Sequence, residues 1–190
     1  MKGSFRWRLG KFLSWLLMRF LWGIRVIGDD DVPPPPVIVA ANHSSYMDPP
    51  LIMALWPREI YFIAHGGLFV NPLFGAFLKF FHALPLPGAY RKAYHLLGRG
   101  KDIAIFPEGG RNRLPEVKLG TFRMSKRTGA PVVVFRIHNN DGKPPLKWIR
   151  WFILRDLYME KVGILRPEDY EDEVSMAKAF RSLMYGRKIT

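Results

Sequence analysis

The sequence predicts a single α/β domain: a central mixed, largely parallel sheet flanked by helices, preceded by an amphipathic membrane-interface helix. Three observations predict it. Short apolar runs alternate with helix-length segments of about ten residues, the rhythm of strand–helix–strand units. The chain has 190 residues, enough for one domain. And residues 1–28 set Lys2, Arg6, Arg8, Lys11, Arg19 and Arg25, with no acid, among Trp, Phe and Leu.

The first element is therefore a helix over residues 1–28, with 29–190 as the α/β domain. The longest uncharged run there is Phe12 to Met18. A spanning helix needs roughly 18 or more apolar residues, and Arg19 would be costly against lipid. A cleaved signal peptide fits the basic start, but not Arg19 or the lack of a small-x-small site. At about 100° per residue, Arg8, Lys11, Ser14, Arg19 and Arg25 share an arc. Phe5, Leu9, Phe12, Leu13, Leu16 and Phe20 lie opposite. Trp7, Trp15 and Trp22 fall on or beside the basic arc, where an interfacial helix meets lipid headgroups. An ordinary core-packing helix with a solvated basic face is the alternative.

Asp29 to Pro36 is a breaker. Val37 to Ala41 reads as a buried strand. Pro49 and Pro50 open a helix to Trp56. Ile60 to Ala64 is a strand, Pro72 to Phe81 a helix, Ala83 to Leu86 a strand and Tyr90 to Leu97 a helix. Asp102 to Phe106 is a strand, Val117 to Arg127 a helix stopped by Gly129, and Pro131 to Ile137 a strand. Leu146 to Leu154 and Tyr158 to Leu165 fit a hairpin, and Glu171 to Tyr185 closes the chain as a helix.

Composition narrows the function. There are no cysteines, which excludes disulfides, thiolate metal sites and a cysteine nucleophile. The net charge of +13 favours polyanionic partners: nucleic acid, an anionic membrane surface, or acidic carriers. No nucleic-acid module is found, so nucleic acid is not expected as a partner. His43, His65, His82, His95 and His138 lack zinc-ligand spacing, so no metal is expected.

Two constellations carry chemistry. Asn42-His43-Ser44-Ser45-Tyr46-Met47-Asp48 follows the first strand of the domain. Pro49 disfavours helical geometry at Asp48, so His43 lies in a loop that can fold back onto the carboxylate. That pairing would fix the tautomer and leave one ring nitrogen as a base. Taken alone, the plainer reading of this spacing is a helix-capping Asp48 with an unrelated loop histidine. The second is Phe106-Pro107-Glu108-Gly109-Gly110-Arg111-Asn112-Arg113, after a later strand. Glycines there let amides approach an anion, and Arg111 and Arg113 suit phosphate. A solvated turn is the plainer alternative.

Together these motifs resemble the glycerol-phosphate and lysophosphatidic acid acyltransferase family. Asn42, His43 and Asp48 match its N-H-x-x-x-x-D motif. Phe106, Pro107, Glu108, Gly109, Arg111 and Asn112 match F-P-E-G-x-R-[SN]. Lys118 to Phe122 and Ala130 to Val134 are similar to two later segments, more loosely. In the family's second motif, linked to the acyl acceptor, His65 and Gly67 replace the usual Lys and Glu, and Arg91 comes late.

The resemblance implies acyl transfer from acyl-CoA or acyl carrier protein to a lysophospholipid hydroxyl in phospholipid biosynthesis. The expected acceptor is 1-acyl-sn-glycerol-3-phosphate, with another lysophospholipid or a lyso-aminolipid as the alternative. His43 would be the base, oriented by Asp48. Glu108 and Gly109 would shape the acceptor loop and Arg111 would hold phosphate, with Arg113, Lys118 and Arg91 behind it. No cofactor is expected. The site of action would be the cytoplasmic face of the inner or plasma membrane. Ser44 and Ser45 beside His43 raise a serine nucleophile, but there is no G-x-S-x-G elbow. A hydrolase with the same His and Asp, and a basic membrane- or nucleic-acid-binding protein without catalysis, are the rivals.

Overall fold

The computed structural model describes residues 3–22, 25–27, 32–110, 117–139 and 157–186. Its strands are β1 (Arg25–Ile27), β2 (Ile38–Ala41), β3 (Ile60–Ala64), β4 (Ala83–Pro85), β5 (Asp102–Ile105), β6 (Val132–Asn139) and β7 (Leu157–Leu165). They form one sheet in the order β1-β7-β6-β2-β5-β3-β4. From β6 to β4 every pairing is parallel; β7 runs antiparallel to β6, and β1 parallel to β7. The predicted mixed, largely parallel sheet is what forms.

β2 and β5 are apolar almost throughout because both faces are covered. Val39 and Ala41 pack with Leu51, Ile52 and Met53 of α2 (Asp48–Leu55) and Met18 of α1 (Phe5–Trp22). Ile38 and Ala40 face the other way, toward Ala93 of α4 (Ala89–Gly98), Phe122 of α5 (Gly120–Thr128) and Phe180 of α6 (Glu173–Tyr185). The alternation of β2 thus divides two helical layers.

At the amino edge of the sheet, the buried Asp102 carboxylate gathers three donors. It accepts from Val37 N at 3.0 Å and from Trp56 Nε1 and Arg58 Nε at 2.9 Å each. A buried carboxylate left unpaired would cost several kcal/mol, roughly; here it ties the start of β5 to the start of β2 and the end of α2. The opposite, carboxyl edge is left to the loops that carry the two sequence motifs.

Some expectations change. The first helix ends at Trp22, and Arg25–Ile27 joins the sheet beside β7. The expected hairpin partner of β7, Leu146 to Leu154, lies outside the described residues; among these, β7 pairs with β6 and β1. The helix expected from Val117 starts only at Gly120, because Lys118 N donates to Pro107 O at 2.8 Å and holds the chain against the preceding loop. α1 packs on the core beside α2 and leaves Arg6, Arg8 and Arg19 exposed, as the core-packing alternative expects, but its outer side carries apolar residues as well. Its buried stripe is Trp7, Gly10, Ser14 and Met18, while Phe5, Phe12, Leu13, Trp15 and Leu17 face outward.

Candidate active site

Strand pairing brings the two motif loops together. β2 and β5 are neighbours in parallel register, with Ala40 opposite Ile105. His43 and Glu108 each lie three residues beyond that pair, so they emerge side by side at the carboxyl edge. Open α/β sheets place ligands at this edge, where successive connections diverge. Here the chain leaves β2 for β3, on the far side of β5, and reaches β6 on the other side of β2.

The loop after β2 is held at both ends. The Asn42 side chain clasps β6, donating from Nδ2 to Ile137 O at 3.0 Å and accepting from Ile137 N at 2.6 Å. Asp48 becomes the first residue of α2, with Pro49 and Pro50 behind it. Its carboxylate is fully buried, and Oδ2 accepts from Ser44 N and Ser45 N at 2.8 Å each. His43 Nδ1 is the third group on that oxygen, also at 2.8 Å. A carboxylate accepts only, so Nδ1 carries the proton in the neutral ring and Nε2 keeps its lone pair. The start of α2 adds a favourable dipole for the anion.

The His43 ring stacks on Phe106, with centroids 4.2 Å apart and planes 17° from parallel. Its side chain is 17% exposed, so the ring is confined yet reachable. Nε2 has no partner among the described residues. A ring held this way, with its proton on the buried side, can act as a general base.

Glu108 sits beneath this pair. Oε2 accepts from His43 N at 3.2 Å, and Oε1 accepts a short hydrogen bond from the Tyr185 hydroxyl. Burial pushes the Glu108 carboxyl above its ordinary range, and the Tyr185 and His43 donors pull it back only in part. Burial, reinforced by Glu108, holds the Tyr185 phenol well above its usual value. Gly109 follows at φ +69°, a conformation that favours glycine. A Cβ there would come within 2.5 Å of Lys118 Cε, so the lysine stem lies across the glycine.

His43, Asp48, Glu108, Gly109 and Lys118 are therefore brought to one place, and Lys118 is exposed there. Arg91 is exposed in the first turn of α4, next to Tyr90, whose ring lies against Gly120 at the start of α5. Arg111 and Arg113 lie outside the described residues. Of the second motif, His65 caps a short 3₁₀ helix over Gly66–Phe69, with Nδ1 accepting from Gly67 N. Tyr185, the Asn42 clasp and the Ser44 and Ser45 amides are parts of the site that residue patterns did not indicate. Among the described residues no cluster of three or more His, Asp or Glu could hold a metal ion.

An α/β sheet that presents a His–Asp pair at its carboxyl edge defines an enzyme of the transferase or hydrolase kind. The family model Acyltransferase matches residues 23–138, more than half of the chain, and the chain belongs to that family. It is 32% identical over 100 residues to the 1-acyl-sn-glycerol-3-phosphate acyltransferase of Bacillus subtilis (strain 168). That match covers 48% of this chain and 50% of the relative, so the chain spans about half the relative's length in it. Its fold is similar to the crystal structure of the 1-acyl-sn-glycerophosphate (LPA) acyltransferase PlsC from Thermotoga maritima. The TM-score is 0.70 at 24% identity, over 94% of this chain and 75% of the other.

Proposed function

We propose that this chain transfers a fatty acyl group from a thioester carrier, acyl-CoA or acyl carrier protein, to the hydroxyl of 1-acyl-sn-glycerol-3-phosphate. The observation that carries this reading is the His43–Asp48 pair, with Nδ1 on the buried carboxylate and Nε2 open. Membership of the acyltransferase family and the relative from Bacillus subtilis support it.

In this mechanism His43 Nε2 takes the acceptor hydroxyl proton as the oxygen attacks the thioester carbonyl. The new C–O bond gives a tetrahedral oxyanion, and Asp48 stabilises the imidazolium beside it. Collapse breaks the C–S bond, and the thiolate leaves with the proton returned by His43. Arg111 is proposed as the main phosphate ligand, with Arg113, Lys118 and Arg91 adding positive charge. Glu108 and Gly109 shape the loop. Ser44 is not given a covalent role, because its Oγ is buried and without a partner.

The same reading places the reaction at a membrane, on its cytoplasmic face. Among the described residues no helix is long and apolar enough to cross one. Instead α1 turns Phe5, Phe12, Leu13, Trp15 and Leu17 outward, and the segment through α3 (Pro72–Phe80) exposes Val70, Leu73, Phe74 and Phe77. At the end of α3 the Phe81 ring lies against Gly10, on the buried stripe of α1. An exposed apolar surface of that extent suits burial in the acyl boundary of a bilayer.

The test is an acceptor screen with labelled acyl-CoA and acyl carrier protein, a panel of lysolipids, and His43→Ala as the blank. Transfer to lysophosphatidate is expected. Transfer only to another lysolipid would assign the altered second motif, around His65 and Gly67, to a different acceptor. Free fatty acid alone, lost in His43→Ala, would make the protein a hydrolase and overturn the reading.

A further inference from the structure

We infer that Tyr185, on the last helix, is a positioning residue for acyl transfer: through Glu108 it fixes the backbone that carries His43. The inference rests on His43 being the base of the proposed reaction, but its geometry is independent of the acceptor.

Three connected contacts make the case. Arg136 on β6 donates to Leu183 O and Met184 O at 2.6 and 2.8 Å, satisfying carbonyls that the end of α6 would otherwise leave open. Glu160 lies 3.6 Å from the same guanidinium and holds it from β7. The residue after those carbonyls is Tyr185, whose hydroxyl donates to Glu108 Oε1. Glu108 Oε2 in turn accepts the backbone N–H of His43. Each oxygen of the buried carboxylate is thus engaged by a group of the protein. One end of the bridge is the backbone of the base, and the other is α6, whose Tyr185 is 77 residues from Glu108 in sequence.

A buried carboxylate keeps its geometry only while its acceptor oxygens stay satisfied. Without the Tyr185 donor, Glu108 would rotate toward solvent or take up a proton, and its hold on His43 N would loosen. The ring's aim then drifts, although its bond to Asp48 remains. Misplacement of a base by about 1 Å can cost 10²-fold in rate. Tyr185 touches no reacting atom in this scheme, so its effect belongs in kcat and not in substrate binding.

The experiment compares the full chain with Tyr185→Phe, Glu108→Gln and the double variant. Two readouts are used: turnover, and backbone amide hydrogen exchange at His43. Tyr185→Phe keeps the ring and its packing. It is expected to lower kcat about 10-fold with both KM values within about twofold, and to speed His43 amide exchange while the β2 amides stay protected. In the Glu108→Gln background the same change is expected to cost little more, because the two act as one unit. Unchanged exchange at His43 in Tyr185→Phe would overturn the inference, whatever the activity. So would a full second loss in the double variant. If the unmodified protein transfers no acyl group, the proposed function fails, and the exchange measurement still decides whether Tyr185 holds the His43 backbone.

Discussion

At the scale of single residues, chemistry and stability are separated between the two edges of the sheet. Asp48→Asn leaves the volume unchanged but replaces an anion that accepts from three groups on Oδ2. An asparagine amide can donate to Nδ1, stabilising the wrong tautomer and turning the lone pair of His43 inward. Both Asp48→Asn and His43→Ala are expected to lower kcat by about 10²–10⁴-fold, read against unchanged circular dichroism. At the amino edge, Glu59 accepts from Ser4 Oγ and Lys101 Nζ at 2.6 Å each, joining the start of α1 to the entry of β5. Burial raises its carboxyl, but the Lys101 and Ser4 bonds and the Lys101 charge outweigh that, and the net displacement is downward. A carboxyl lowered in the folded state stabilises the fold above its unfolded value and loses that contribution as pH falls through the folded one. Glu59→Gln is therefore expected to cost about 2 kcal/mol at pH 7. The difference should close as denaturation curves are taken below about pH 4.5. The His43–Asp48 contact was legible in the sequence because it is local, although Asp48 itself opens α2, one residue earlier than Pro49 suggested. Its link to Tyr185 was not, since nothing at either end of the bridge specifies the other until strands and helices are placed.

At the scale of elements, α1 shows where reading by hydrophobicity falls short. The helical wheel groups Lys11 and Ser14 with the arginines, yet the described helix packs inward through Trp7, Gly10, Ser14 and Met18. Close approach decides this face: Gly10 meets Met53 Sδ and Phe81, with a Cβ position only 3.2 and 3.3 Å away. Lys11 is turned along the seam and donates to Trp56 O at 2.5 Å. The apolar residues are thereby left outside, with Phe5 70% and Phe12 55% exposed, and Leu73 of α3 83% exposed. The sequence did identify α1, α3 and their apolar content; which side each would present depended on small residues and on α2. Truncating residues 1–28 would consequently strip β1 and the Ser4 and Lys11 bonds along with the outward face. Surface substitutions separate these effects. Phe12→Ser with Leu13→Ser is expected to weaken partition into vesicles by at least about tenfold, given roughly 1.5–3 kcal/mol per buried large side chain. Thermal stability should be unchanged or improved. Equal partition of both proteins, measured by vesicle sedimentation, would remove this face from membrane attachment.

At the scale of the whole molecule, a net charge of +13 acts together with that apolar face. The fold decides which charges are exposed for the proposed membrane contact. On α1, Arg6, Arg8 and Arg19 are exposed, whereas Lys11 is half-buried on Trp56 O, and burial lowers its pKa. A basic side chain near an anionic leaflet contributes about 1 kcal/mol, and salt screens it over about a Debye length. Three available arginines beside an apolar patch therefore predict a two-part attachment. Arg6→Gln, Arg8→Gln and Arg19→Gln together are expected to weaken binding to anionic vesicles about 10²-fold at low salt, with little effect on neutral vesicles. High salt should bring the unmodified protein down to the level of the triple variant, leaving the apolar contribution in both. Lys11→Gln should behave differently, barely changing vesicle binding while lowering the melting temperature, because its ammonium is engaged within the fold. If the triple variant binds anionic vesicles as well as the unmodified protein does, the attachment runs through other exposed cations, such as Arg91 and Lys92 on α4. The surface facing the bilayer would then be the α4 side of the sheet and not the α1 side.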